Sequence, residues 1–188
     1  MGTTKPSEES FKLEKVKLLN NGGLNVHYEI SEKVNGMTYT NHYVVDNDVD
    51  VHPDLRNLFA ELVPMVARVF KITSLLTFID GQKDIPTDLQ YWAKEYADNL
   101  LEDIDVKGVA ISRKGEIVGV ILNAVYTADN NMKCALNTPR IKFSTLTFGF
   151  EQDLEAIVEN IRREVYEYLF DGKQAQLSMF GAEEMTQM

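Results

Sequence analysis

The feature that most constrains this chain is a strict two-residue alternation that ends on an Asn-Gly pair. Leu24, Val26, Tyr28 and Ile30 alternate with Asn25, His27 and Glu29, and Asn35-Gly36 follows shortly afterwards. Successive side chains of a strand point to opposite faces, so this stretch has one buried and one wet face. Asn-Gly is the strongest short signal for a tight hairpin. Together they predict an antiparallel pair covered on one side only. The flanking segments 11–19 and 37–45 read as the neighbouring strands, with Asn20-Asn21-Gly22-Gly23 as the first turn. The first strand loses its alternation near Glu14 and Lys15. A bulge there turns Lys15 and Lys17 outward while Val16 and Leu18 stay in.

A helix is expected next. Pro53 stands in its first turn, where a missing N–H does no harm, and Leu55, Leu58, Phe59, Leu62, Val66, Val69 and Phe70 follow at helical spacing. Pro64 should kink it. After residue 104 the order recurs: strand candidates at 106–112, 117–127 and 132–143, then a helix with Leu154, Ile157, Val158, Ile161, Val165 and Leu169 on one face. Between the halves, Thr87 and Gln90 form a capping-box pattern ahead of a stripe containing Leu89, Trp92, Ala93, Tyr96 and Leu100.

The expected fold is α+β, with tandem β-β-β-α units forming a pseudo-twofold pair of antiparallel sheets with covering helices. The expected divisions are a disordered N-terminal tail (1–10), a first unit (11–72), a helical connector (73–104), a second unit (105–171) and a flexible tail (172–188).

Few sequence features point to chemistry. Asp46, Asp48 and Asp50 begin like a calcium loop, but Val51 replaces the required glycine and Asn57 the closing glutamate. His27, His42 and His52 show no helical pairing, and Cys134 is the single cysteine, read as a core thiol in a reducing cytoplasm. No nucleophile elbow or phosphate-binding glycine loop occurs. The reading is therefore non-enzymatic, with no catalytic residue, metal or cofactor. No run of residues is long and apolar enough for a membrane span, and the N-terminus lacks the basic and apolar regions of a signal peptide.

The net charge is −10, but it is unevenly spread. Residues 11–45 and 105–147 carry ten basic against six acidic side chains, and the acidic excess lies elsewhere. A basic sheet suits phosphates. The candidate nucleic-acid contacts are Lys15, Lys17, Lys107, Arg113, Lys133, Arg140 and Lys142, with His27, Tyr39 and His42 as stacking groups.

The sharpest motif is Gln176-Leu177-Ser178-Met179-Phe180. It resembles the pentapeptide by which bacterial polymerases, repair proteins and clamp loaders dock on the DNA sliding clamp, with Met179 in place of the usual leucine. Apolar anchors on a tether, with a glutamine amide fixing register, suit a preformed apolar groove. Residues 166–181, following the paired hairpins and the stretch 136–143, resemble the ends of small proteins from the early regions of tailed-phage genomes. The doubled unit is similar in outline to single-stranded-DNA-binding folds of the positive-cofactor and whirly type, although those use four strands per unit and the whirly lysine-glycine motif is missing here.

These resemblances imply a replication or recombination accessory protein. Its partners would be the sliding clamp and single-stranded DNA, with a homodimer as a further option and no membrane. The alternative is an acidic effector that blocks the clamp or mimics DNA toward a DNA-binding protein.

Overall fold

A computed structural model describes residues 5–71, 101–114, 117–128 and 130–174. The connector residues 72–100, including Trp92, and the pentapeptide 176–180 lie outside the described residues.

The first three strands form a meander: β1 (Phe11–Leu18), β2 (Leu24–Val34) and β3 (Met37–Asn47). Asn35 and Gly36 both have positive φ, 52° and 80°, as a tight hairpin between twisted strands demands. The bulge falls where the broken alternation placed it, between Leu13 and Lys15. A second meander follows, β4 (Ile104–Lys114), β5 (Ile117–Thr127), β6 (Lys133–Asn137) and β7 (Ile141–Lys142). One long last strand was expected over 132–143. It is interrupted at Thr138, whose hydroxyl accepts from the Leu122 amide at 2.9 Å, and β7 resumes pairing with β5 beyond Pro139.

The expectation of two sheets gives way to one. Lys15, Val16 and Lys17 pair with Ala110, Val109 and Gly108, joining the meanders in the order β3-β2-β1-β4-β5-β6, all antiparallel. The two central strands, β1 and β4, are buried mainly on one face. Joining them removes two open edges that would otherwise need protection.

Among the described residues, the helices α1 (Pro53–Glu61), α2 (Val63–Val69) and α3 (Glu151–Phe170) border this sheet. The predicted long helix breaks at Leu62, with Pro64 in the first turn of α2. Leu55 and Phe59 of α1, Leu62 at the break, Val66 of α2 and Leu154, Ile161 and Val165 of α3 are buried with Leu13, Val16, Val26, Val109 and Leu122 from the strands. Each fully buried aliphatic or aromatic side chain contributes about 1.5–3 kcal/mol. These helices therefore lie on one face, and no helix among the described residues covers the other.

Three expectations about the ends and the thiol are corrected. Residues 5–10, read as disordered, are held on α3: the Tyr166 hydroxyl donates to the Pro6 carbonyl at 2.6 Å, and Arg162 bonds Glu8 at 2.8 Å. Residues 172–174 are likewise fixed. The Lys173 ammonium contacts Glu164 at 2.7 Å, Glu167 at 3.1 Å and Asp54 at 3.2 Å, and Gln174 bridges Val51. The hydrogen bond to Glu164, then those to Glu167 and Asp54, hold the Lys173 ammonium above the usual lysine range despite desolvation. Cys134 is exposed rather than buried, because β6 is an edge strand.

Glu151, at the start of α3, was not singled out in the sequence. It is fully buried, yet its two carboxylate oxygens accept the Phe148 and Gly149 amides at 2.7 and 2.8 Å. Burial alone would push its pKa up. The backbone amides of Phe148, Glu151, Gly149 and Thr147 outweigh that and hold it below the ordinary value of 4.5. A lowered folded-state pKa contributes stability above the unfolded value that is lost as pH falls through the folded one. Glu151→Gln should therefore lower stability at neutral pH by about 1–3 kcal/mol. The variant should also lose part of the acid sensitivity below pH 4.5 that the parent shows. Urea unfolding of both proteins across that pH range checks this.

Candidate nucleic-acid interface on the open sheet face

The uncovered face is built by register. Lys17 lies beside Asn25 on β2 and Gly108 on β4, Gly108 opposes Asn123, and Asn123 opposes Asn137 on β6. The result is a polar row across five strands. Asn25 donates to Asp46 at 2.7 Å and Asn123 to Asn137 at 2.8 Å, so the amides brace one another across the strands. Lys107 occupies a second register shift, between Val106 and Gly108, and is paired with Asp105.

Lys17, Lys107 and Lys133 line a single groove of about 430 Å³ with Asn123 and Asn137. Asn20 and Asp105 line it too, and Asp105 is paired with Lys107, so three ammonium groups, three amides and one carboxylate leave a net positive concavity for an anion with several oxygens. The ammoniums are point charges with rotating donors, which suits phosphates without fixing a base sequence.

The other sequence candidates divide. Lys15, His27 and His42 stand on the same face, Lys15 directly opposite His27. Lys142 joins them through its pairing with Gly119. Arg140 reaches the same face, but its guanidinium is laid over Gly119 and donates to the Ser112 carbonyl at 3.0 Å. A Cβ on Gly119 would stand 2.7 Å from the Ile141 carbonyl oxygen and 3.1 Å from that guanidinium, so this packing requires glycine. Arg113 donates to the Leu13 carbonyl beside the bulge at 3.4 Å. Both arginines therefore make backbone contacts, which strand alternation does not reveal.

Tyr39 is on the other face. It opposes Glu32, two steps from Asn41 and four from Tyr43, whose ring stacks on buried Tyr28 with centroids 5.1 Å apart. The odd-numbered positions of β3 face the helix side, so Tyr39 cannot stack a base bound in the groove. The three aspartates that begin like a calcium loop also separate: Asp46 pairs with Asn25, Asp48 with Asn21 at 2.7 Å, and Asp50 with Arg56 at 3.3 Å.

The sequence missed one grouping. Glu14, Glu29 and His42, from three neighbouring strands, bring their ligand atoms within 4.8 Å of one another. Searching for histidine pairs could not find it, because two of its members are glutamates and all three come from different strands.

The structure separates binding candidates from packing ones. Gly119→Val should displace Arg140 and β7 and destabilise the protein by about 1–3 kcal/mol. Lys133→Glu, on an exposed edge strand, should change stability by less than about 0.5 kcal/mol. Thermal unfolding of the two variants distinguishes them.

Among the described residues no helix is long and apolar enough to cross a membrane. Comparison of the chain with protein-family models, curated protein sequences and solved structures gives no match.

Proposed function

We propose that this protein is a non-enzymatic accessory of DNA replication or recombination, of the phage early-region kind. It holds single-stranded DNA on its open sheet face and the bacterial sliding clamp through residues 176–180. The observation that carries the first half is the groove that Lys17, Lys107 and Lys133 line together with Asp105, on the face opposite α1, α2 and α3. A chain of net charge −10 that nevertheless gathers three lysines there has a local field suited to a polyanion. The strand order β3-β2-β1-β4-β5-β6, with β1 and β4 antiparallel at the centre, supports reading the fold as a doubled β-β-β-α unit with pseudo-twofold symmetry.

The clamp half rests on the pentapeptide. Gln174, shortly before it in the chain, bridges Val51 beside the anchored Lys173.

The net charge of −10 also favours a second reading, an acidic effector that occupies the clamp or a DNA-binding protein. DNA binding distinguishes the two. Fluorescence anisotropy with a labelled oligothymidine should show binding that weakens with salt, with a log–log slope of about −2 for three phosphate contacts. Lys17→Glu combined with Lys133→Glu should remove most of it. No binding at low salt would leave the effector reading in its place.

The clamp contact is tested separately. A peptide of residues 175–184 should bind a bacterial clamp at micromolar affinity, about 7–8 kcal/mol. Leu177→Ala with Phe180→Ala should abolish most of that binding, since a few buried anchors dominate such interfaces. In the full-length chain the same pair should leave the melting temperature unchanged.

A further inference from the structure

We infer that Glu14, Glu29 and His42 form a binding site for one divalent transition-metal ion, with zinc as the best fit. The three side chains come from β1, β2 and β3, one from each strand of the first meander. The His42 Nδ1 atom lies 3.5 Å from a Glu29 carboxylate oxygen and 3.7 Å from a Glu14 carboxylate oxygen. Both separations exceed the roughly 2.7–3.2 Å of an N–H to O hydrogen bond. They are close to the edge of a tetrahedron around zinc, about 3.4 Å for metal–ligand bonds of about 2.1 Å. All three ligand atoms lie within 4.8 Å of one another, and rotation of the Glu14 and Glu29 carboxylates about their side-chain bonds is the movement that would bring both onto one ion.

Backbone and chemistry support the same assignment. The bulge between Leu13 and Lys15 sets two successive residues of β1, Glu14 and Lys15, against the single His27 of β2. Without that extra residue the face would present one side chain there. Arg113 takes the Leu13 carbonyl beside it at 3.4 Å, so the distorted backbone is held. Bulges commonly re-aim a side chain beside a site. Two carboxylates balance the charge of a divalent ion, and the imidazole nitrogen selects zinc or a similar first-row metal over magnesium and calcium. Lys12 opposes Glu29 in the β1–β2 register, and Lys15 follows Glu14 in β1. The site is open, since the His42 side chain is 63% exposed, and water completes the coordination.

This assignment does not depend on the DNA or clamp reading, and its test uses neither. Full-length protein freed of metal with a chelator is titrated with zinc chloride by calorimetry. One equivalent should bind in the micromolar range, and His42→Ala and Glu29→Gln should each weaken it at least tenfold. Long-range nitrogen–proton NMR spectra of the unmodified protein identify the ligand directly. Zinc should shift the Nδ1 resonance of His42 and leave those of His27 and His52 in place. Absence of binding, binding unaffected by both substitutions, or a shift confined to His27 or His52 would each overturn the proposal.

Discussion

Three residue pairs between β1 and β4 hold the architecture together. Val16 and Val109 meet at the centre with no exposed surface, flanked by Lys15 opposite Ala110 and Lys17 opposite Gly108. Without this short ladder each meander would present an open edge on both sides, and neither could bury enough area alone. With it, one continuous sheet shares one core with α1, α2 and α3. The pairing also sets Lys17 next to the bulged Lys107, which creates the basic groove at the junction of the two halves.

One-sided cover follows from the same core. Because α1, α2 and α3 pack on one face, every second residue of each strand must be satisfied in water or by its neighbours. The open face meets this with cross-strand polar pairs: Asn25 with Asp46, Ser31 with Thr40, and Asn123 with Asn137. Such pairs are worth only about 0.2–1 kcal/mol each. They set register rather than supply the bulk of the stability. Against this even background the two register shifts, at Glu14 and Lys107, stand out because each displaces a charged residue from its regular place. One belongs to the carboxylate–histidine cluster and the other to the lysine groove.

One buried and one half-buried charge are held by many partners. Glu151 has no exposed surface, but four backbone amides stabilise its ionised form. Lys173 gathers three carboxylates from α1 and α3 and fixes the chain just before the pentapeptide. Truncating one partner of such a set leaves a charge poorly compensated, so these residues matter more than exposed ion pairs. Neither has a sequence signature, since the amides around Glu151 belong to a loop and the carboxylates around Lys173 span more than a hundred residues.

Alternation and turn chemistry alone located the strands, including the bulge beside Glu14 and the bounds of β5 at Ile117–Thr127, but not the break at Thr138 that divides the expected last strand into β6 and β7. They also determined which lysines face outward, because side-chain direction in a strand is a local property with a period of two. Pro64 likewise announced the break between α1 and α2, since a missing N–H acts within one turn. Only the tertiary structure decided that the two meanders share one sheet, because pairing between β1 and β4 joins segments some ninety residues apart and leaves no periodic trace. It decided that Arg113 and Arg140 contact the backbone while Lys17, Lys107 and Lys133 share a groove. It also set Tyr39 on the face away from that groove and brought Glu14, Glu29 and His42 together. These are properties of register between strands, and register is fixed by which apolar faces meet in the core rather than by any residue's own neighbours in sequence.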